Sequence, residues 1–237
     1  MNVIDIGIIL VLCMSFLVGW KSGVIRELFN VVGIVVVLII SYQLKGLVGN
    51  ALCKVLPFIK FKGILAGLTA MNILLYQAIA FLLVFGILLG VYSLLISISK
   101  FLQEIINFTI VLLLPSKILG GIIGLIRCWL VLFIIIIVLL VPFKNQSIVM
   151  ESKLVDIIVN KTPFVNNMSK GFVDATEDIY TLAQKVSKKE ITTNEANLKS
   201  IDAMLKYKIV DKKTVEDLQK FRKLNDIKDL DSVLKNY

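Results

Sequence analysis

A single arginine, Arg127, lies inside the apolar stretch Ile118–Phe143, ILGGIIGLIRCWLVLFIIIIVLLVPF. The stretch has 26 residues and no other charge, and a helix needs about 20 apolar residues to cross the hydrocarbon core of a bilayer. An arginine at that depth costs roughly 2.5–3.5 kcal/mol on insertion scales, so it needs a partner or a route to the interface. The stretch therefore predicts an integral membrane protein with specific packing around the arginine.

The chain divides chemically near Pro142. Residues 1–142 hold nine basic and three acidic side chains, whereas residues 143–237 hold seventeen basic and fourteen acidic ones. Because the positive charge is spread over short loops and a mixed-charge tail, it fits solvated faces and lipid headgroups better than a nucleic-acid surface. We therefore expect the lipid bilayer as a partner and no nucleic acid.

Histidine is absent from the chain. This excludes Ser-His-Asp and Cys-His nucleophilic catalysis, and it removes histidine as a metal ligand. The three cysteines, Cys13, Cys53 and Cys128, lack the C-x-x-C spacing of zinc and redox sites. The carboxylates of the tail are scattered among lysines, as on a solvated surface. We expect no enzymatic activity, no catalytic residue, no cofactor and no metal.

Three further apolar stretches predict membrane spans, and together with the arginine-containing stretch they predict an all-α bundle of four spans. The spans are expected at about residues 3–20, 28–43, 73–96 and 118–141, within a transmembrane domain of residues 1–143 that precedes a polar helical tail, 144–237. Inside a bilayer even β-branched residues form helix, because every backbone polar group must be satisfied internally. The first residues lack the basic region and cleavage site of a signal peptide, so we expect the first span to be retained.

Three segments between these spans leave alternatives open. Residues 44–62 mix lysines with apolar side chains around Pro57, which suits either a segment in the headgroup plane or an ordinary loop. The 37 uncharged residues from 63 to 99 accommodate one tilted span or two short ones. The lack of a strong turn signal favours one. The run Ile105–Pro115 is too short to cross and predicts a re-entrant or interfacial segment.

Glycine pairs at four-residue spacing recur along the apolar half. Small residues at this spacing lie on one helix face and allow a neighbouring backbone to approach closely. The last two pairs lie well inside predicted spans and are the best candidates for helix–helix seams. The four pairs are Gly19/Gly23, Gly63/Gly67, Gly86/Gly90 and Gly120/Gly124.

The tail predicts several short amphipathic helices, which would pack into a small domain or against the membrane surface. Apolar residues follow helical spacing at Leu198, Ile201 and Leu205, and again at Val215, Leu218 and Phe221. Capping-box patterns begin at Thr192 and at Thr214, each followed three residues later by an acidic residue.

Three motifs in the apolar half resemble the colicin V production protein family, CvpA. They are Asn2-x-x-Asp5, Gly19-x-Lys21-x-Gly23-x-x-Arg26-Glu27 and Gly120-x-x-x-Gly124-x-x-Arg127, and the resemblance covers roughly residues 1–143. The sequence departs from the family pattern at Ser116-Lys117, where the family often carries an acidic residue, and at Cys128, where a small residue often follows the arginine. The resemblance implies a multi-pass protein of the bacterial plasma membrane, linked to peptide-toxin production or secretion and to envelope stress.

The motif residues are expected to form a helix-packing and charge motif around Arg127. Glu27 and Asp5 are the candidate acidic partners, because they are the acidic residues near the first helical hairpin. Arg26 competes for Glu27, and snorkelling of Arg127 to the interface is the alternative to any pair.

Two functions from different classes follow. The first is a non-enzymatic scaffold or factor in toxin or bacteriocin production, secretion or envelope homeostasis, whose 144–237 tail binds a protein partner. The second is a small transporter or channel, which the intramembrane arginine and the short run Ile105–Pro115 would suit. Self-association is left open. Loop charges do not decide the orientation, and the family resemblance favours a tail outside the cytoplasm.

Overall fold

The computed structural model describes residues 2–98, 113–143, 152–162 and 166–237, and these residues form helices and no strand. This confirms the all-α prediction. The helices are α1 (Val3–Ser22), α2 (Val24–Val55), α3 (Ala70–Ile98), α4 (Leu113–Phe143), α5 (Lys153–Lys161), α6 (Asn166–Ser187), α7 (Thr193–Lys206), α8 (Lys212–Lys220) and α9 (Leu230–Leu234), with a 3-10 turn at Gly63–Leu65.

The first four helices are each long and apolar enough to cross a membrane. They also carry large apolar side chains that are exposed on the protein surface, among them Leu10, Val36, Ile87 and Ile126. Such surfaces are a liability in water but are the normal contact surface for lipid tails. The chain is therefore a multi-pass membrane protein.

A single glycine separates the first two membrane helices. Gly23 has φ +81°, a left-handed conformation that side-chain-bearing residues rarely adopt, and its N–H donates to the carbonyl of Gly19 at 3.0 Å. The predicted spans, 3–20 and 28–43, leave residues 21–27 as the link between them. The link in the structure is shorter, because residues 21–22 and 24–27 belong to the helices themselves.

The interpretation of residues 44–62 as one separate segment is wrong, because α2 continues without a break to Val55 and Pro57 follows its end. Beyond residue 62 the chain forms one long helix, α3, rather than two short ones. Most of the predicted re-entrant run lies outside the described residues, and its last three residues, 113–115, belong to α4.

The chain contains two compact units. One comprises the described parts of residues 1–43, 83–139 and 143–163, and the other comprises residues 44–82, 140–142 and the described part of 164–237. The units do not follow the boundary predicted at residue 143. The reason is that residues 44–82, although apolar in sequence, pack together with the tail helices α6 to α9.

The second unit has an apolar interior that includes Ile179, Ile201 and Leu218, all fully buried. Thr192 caps α7 as predicted, accepting a hydrogen bond from the Glu195 N–H at 3.1 Å. The capping box predicted at Thr214 is wrong. The helix begins two residues earlier, and Asp211 is its cap, accepting from the Thr214 N–H at 2.8 Å.

Two buried asparagines fix the connection between α2 and α3 within this unit. The side chain of Asn197 in α7 accepts from the Ala70 N–H and donates to the Gly67 carbonyl, both at 2.9 Å. Asn72 accepts from the Ile59 N–H at 2.7 Å and donates to the Ile59 carbonyl at 3.1 Å. The connection is therefore held by hydrogen bonds to its backbone from both α3 and the tail.

Candidate functional site: a glycine-lined helix junction with a buried ion pair

Two helices meet backbone to backbone at three glycines of the predicted motif. A Cβ atom added to Gly19 of α1 would lie 2.3 Å from the carbonyl oxygen of Gly120 in α4. One added to Gly120 would lie 2.5 Å from the Gly19 carbonyl oxygen and 2.8 Å from the carbonyl carbon of Gly23. One added to Gly124 would lie 2.8 Å from the carbonyl oxygen of Ser15. The seam has no room for a side chain, as expected for a small-residue helix crossing.

Serine hydroxyls beside this seam join α4 to both α1 and α2. The Ser15 hydroxyl donates to the carbonyl of Gly124 at 2.8 Å. The Ser116 hydroxyl accepts from the Val24 N–H, at the start of α2, at 3.4 Å. The first N–H groups of a helix have no partner within it, so Ser116 satisfies one of them from α4. This gives the departure from the family pattern at residue 116 a structural role.

The ion pair of Glu27 with Arg127 lies in the same unit as this seam. The Glu27 side chain is fully buried, and its Oε2 lies 3.3 Å from Nη1 of Arg127, whose side chain is 25% exposed. Oε2 has no hydrogen-bond partner among the described residues, so Arg127 supplies its charge compensation. Asn30 donates to the other oxygen, Oε1, at 3.4 Å. Arg26 is exposed on the adjacent position of α2.

Spacing along α4 brings the arginine to this position. Gly120, Gly124 and Arg127 are four and three residues apart, so they share one face of the helix. Helical side chains also lean toward the N-terminus of their helix. The long Arg127 side chain therefore extends from its own turn back toward the level of the glycines.

Asp5, the alternative partner for Arg127, lies in the first turn of α1 and contacts a different segment. Its Oδ1 accepts from the Ser152 hydroxyl at 2.6 Å and from the Leu154 N–H at 3.1 Å, and its Oδ2 accepts from the Asn2 N–H at 3.0 Å. Ser152 in turn caps α5 by accepting from the Val155 N–H at 3.1 Å. One buried carboxylate thus joins the beginnings of α1 and α5.

We expect Asp5→Ala to destabilise this attachment by about 1–3 kcal/mol, because it leaves the buried Ser152 hydroxyl and the Leu154 N–H without their acceptor. Thermal unfolding in detergent, followed by the fluorescence of Trp20 and Trp129, measures the loss. Asp5→Asn, which keeps one acceptor oxygen, should lose less than Asp5→Ala. Equal stability of all three proteins would show that the contact contributes nothing.

The glycine pair Gly86/Gly90 was predicted to form a seam, and this is wrong for the described part of the chain. A Cβ added at either position would meet no described atom within 4 Å. Gly63 and Gly67 have φ +65° and +79° and serve the turns between α2 and α3 instead. Spacing alone does not distinguish these pairs from the pair that packs.

Comparison with known protein families matches the family described as Colicin V production protein over residues 4–163. The chain belongs to this family. The resemblance inferred from three short motifs is thereby confirmed. No curated protein and no solved structure matches the chain.

The matched range includes the predicted packing and charge residues of this colicin V production family member, which are Asp5, Gly19, Gly23, Arg26, Glu27, Gly120, Gly124 and Arg127. It also extends beyond the predicted limit at residue 143 to include Ser152 and Leu154, the partners of Asp5. It ends at residue 163, where the first compact unit also ends. The tail helices α6 to α9 lie beyond the matched range.

Sequence reasoning missed several polar residues of this unit. Ser15 is four residues before Gly19 and shares its helix face, so its position in the seam was accessible from spacing. Ser152 and Thr162 carried no such signal. Thr162 accepts from Nε1 of Trp129 in α4 at 2.9 Å and donates to the Ile158 carbonyl, so α5 is attached to α4 at its end as well as to α1 at its beginning.

Proposed function

We propose that this protein is a non-enzymatic scaffold of the bacterial plasma membrane that serves toxin production, secretion or envelope homeostasis and binds a protein partner through its tail. The observation that carries the proposal is membership of the colicin V production family over a range that contains the whole glycine and charge motif. The geometry of that motif supports a fixed bundle. Its glycines are closed by backbone contact and its buried carboxylate is compensated by Arg127.

Site-specific photo-crosslinking in intact membranes tests the partner. A photoreactive residue at an exposed tail position, for example Lys188, should capture a specific protein. A control position in the lipid-facing part of α3, such as Ile87, should not capture it. If no tail position yields a specific protein crosslink in producing cells, the scaffold proposal fails.

Deleting the tail is a poor substitute for this experiment. Residues 70–74 of α3 are almost completely buried within the second unit, so removing α6 to α9 would expose apolar surface. A loss of crosslinking after this deletion could then result from misfolding as well as from loss of the partner-binding surface. Single exposed positions leave that packing intact.

The transport alternative rests on Arg127, the one charged residue of the apolar stretch 118–143. A quarter of its side chain is exposed. Purified protein in liposomes tests it by solute flux. Loss of flux in Arg127→Leu, with the fold retained, would favour a transporter. Absence of flux for every tested solute would count against one.

The side of the membrane on which the tail lies determines which proteins it can bind. We propose that the tail is extracytoplasmic. The described residues contain four candidate spans, and because an even number of spans returns the chain to its starting side, we propose that the N-terminus lies there too. A cysteine at Lys188, in a protein whose exposed Cys13 is replaced by alanine, should react with a membrane-impermeant maleimide in cells whose plasma membrane is intact. Reaction only after the plasma membrane is broken would place the tail in the cytoplasm.

A further inference from the structure

Helix α2 is longer than a bilayer requires. Its 32 residues give a length of about 48 Å at about 1.5 Å per residue, whereas the hydrocarbon core is about 30 Å thick. About 20 residues counted from Val24 reach Gln43, and the exposed apolar side chains of Leu44 and Leu47 continue the lipid-facing surface for about one more turn. The remaining turns of α2 therefore extend beyond the hydrocarbon.

Burial along α3 gives the same boundary independently. Ala70, Met71, Ile73 and Leu74 are fully buried, and large exposed apolar side chains on this helix begin only at Leu82. Exposed apolar side chains are what lipid covers, so α3 enters the hydrocarbon near Leu82. The division between the two compact units falls at the same places, after residues 43 and 82.

An apolar patch remains exposed within the second unit. We call it the tip patch, and its apolar members are Val55 (79% exposed), Leu56, Ile59 (49%) and Phe221 (57%). Val55 lies eight residues beyond Leu47, or about 12 Å along the helix, which exceeds the headgroup layer of roughly 5–8 Å on each side of the hydrocarbon. Exposed apolar patches mark sites of protein or membrane interaction, and the distance of this patch from the hydrocarbon favours a protein.

Two lysines, Lys54 and Lys223, contact apolar members of the tip patch. Nζ of Lys54 lies 5.5 Å from the ring centroid of Phe221, and Nζ of Lys223 donates to the Leu56 carbonyl at 2.9 Å. Beside them is a cleft of about 410 Å³ lined by Phe58, Ile59, Lys60, Thr69, Lys223 and Asp226. Its volume is within the range of about 300–1,000 Å³ typical of binding clefts, so it has room for an inserted side chain.

The charge of the patch is positive. Lys54 is already neutralised by Asp217 at 2.7 Å, a contact that holds the pKa of the Asp217 carboxyl below its ordinary value. Asp226 accepts a hydrogen bond from the Thr69 hydroxyl. Neither Lys60 nor Lys223 has an ion pair within the described residues, and Lys60 is exposed.

We propose that the tip patch docks an acidic segment of a protein partner, which inserts an apolar side chain into the cleft beside Phe58. The cleft and the exposed apolar residues accept the anchor, and Lys60 and Lys223 attract the flanking carboxylates. This inference rests on the proposed function, since it specifies how the second unit would recognise a partner.

A defined peptide tests the proposal with full-length protein in nanodiscs of phosphatidylethanolamine and phosphatidylglycerol. The probe is a fluorescent peptide of glutamate and aspartate around one leucine–phenylalanine pair, compared with a lysine-rich peptide carrying the same pair. We expect the acidic peptide to bind more tightly, and Lys60→Glu and Phe221→Ser each to weaken its binding by about tenfold. Lys170→Glu, a matched charge change at another exposed lysine of the tail, should alter binding by less than about twofold.

Circular dichroism of each variant verifies that the fold is retained, and both mutated side chains are exposed in the structure. Equal binding of the acidic peptide to wild type, Lys60→Glu and Phe221→Ser overturns the proposal, as does failure of the peptide to bind the wild-type protein.

The location of the patch has its own test. A nitroxide at Val55→Cys should be relaxed by a water-soluble nickel complex, whereas one at Ile87→Cys should be relaxed by oxygen, which concentrates in lipid. Preferential relaxation of the Val55 label by oxygen would show that lipid covers the patch, and would overturn the proposal. Partner crosslinks from Lys188 but none from the tip patch would overturn this inference alone and leave the scaffold proposal standing.

Discussion

Gly120→Val is expected to destabilise the protein by about 3 kcal/mol, at the upper end of the cost of overpacking a close-packed interior. Even the first added atom, Cβ, would lie 2.5 Å from the carbonyl oxygen of Gly19, about 1 Å closer than ordinary van der Waals contact. The obstructing atoms belong to backbone, so no side-chain rotation relieves the clash. Helices α1 and α4 would have to separate along the seam.

Gly86→Val is the matched control, because Gly86 is also inside a membrane helix but a Cβ there meets no described atom within 4 Å. We expect its free energy of unfolding to lie within about 0.5 kcal/mol of wild type. Denaturation in mixed micelles, followed by the fluorescence of Trp20 and Trp129, compares the two variants. Similar losses from both substitutions would mean that valine is harmful in these helices wherever it is placed, and that the seam has no special weight.

Arg127→Met is expected to cost about 3–5 kcal/mol, because it leaves the fully buried Glu27 carboxylate without its compensating charge. Methionine retains much of the apolar stem of the arginine, so the loss reports mainly on the charge. Glu27→Gln should cost less, about 1–2 kcal/mol. The arginine it leaves behind is 25% exposed and can turn toward the interface.

The double variant Glu27→Gln with Arg127→Met decides whether the two residues act together. We expect it to be more stable than Arg127→Met alone, with a total loss well below the sum of the single losses. Exchanging the two charges would be a weaker test, because it places the longer arginine side chain at the fully buried position of Glu27. Arg26→Met, which removes an exposed charge next to Glu27, serves as the control and should change stability by less than about 0.5 kcal/mol. Additive losses from the two single substitutions would favour snorkelling over pairing.

Hydropathy and glycine spacing predicted much of this arrangement. The four membrane helices follow from stretches of apolar sequence, because hydrocarbon forces any such stretch to satisfy its own backbone as helix. The motif around Arg127 was likewise visible as residues on one face of α4. The break at Gly23 is a local property of glycine, which adopts a left-handed conformation without a steric penalty.

The ends of α2 and α3 show why hydropathy was not sufficient. Residues 70–81 are as apolar as a membrane span, but their side chains are covered by protein rather than by lipid. A buried core helix and a membrane helix have the same composition, and only the tertiary packing distinguishes them. For the same reason the predicted boundary at residue 143 did not separate the compact units.

The sequence by itself determined that the protein is a helical, multi-pass membrane protein, and its motifs indicated the family. Only the tertiary structure decided that Gly19 packs on Gly120 while Gly86 packs on nothing described, and that Arg127 pairs with Glu27 while Asp5 holds α5. The physical reason is the separation along the chain of the residues that interact. Hydropathy and helix periodicity act over a few turns, whereas these contacts join residues about a hundred or more positions apart, whose meeting depends on how the whole bundle packs.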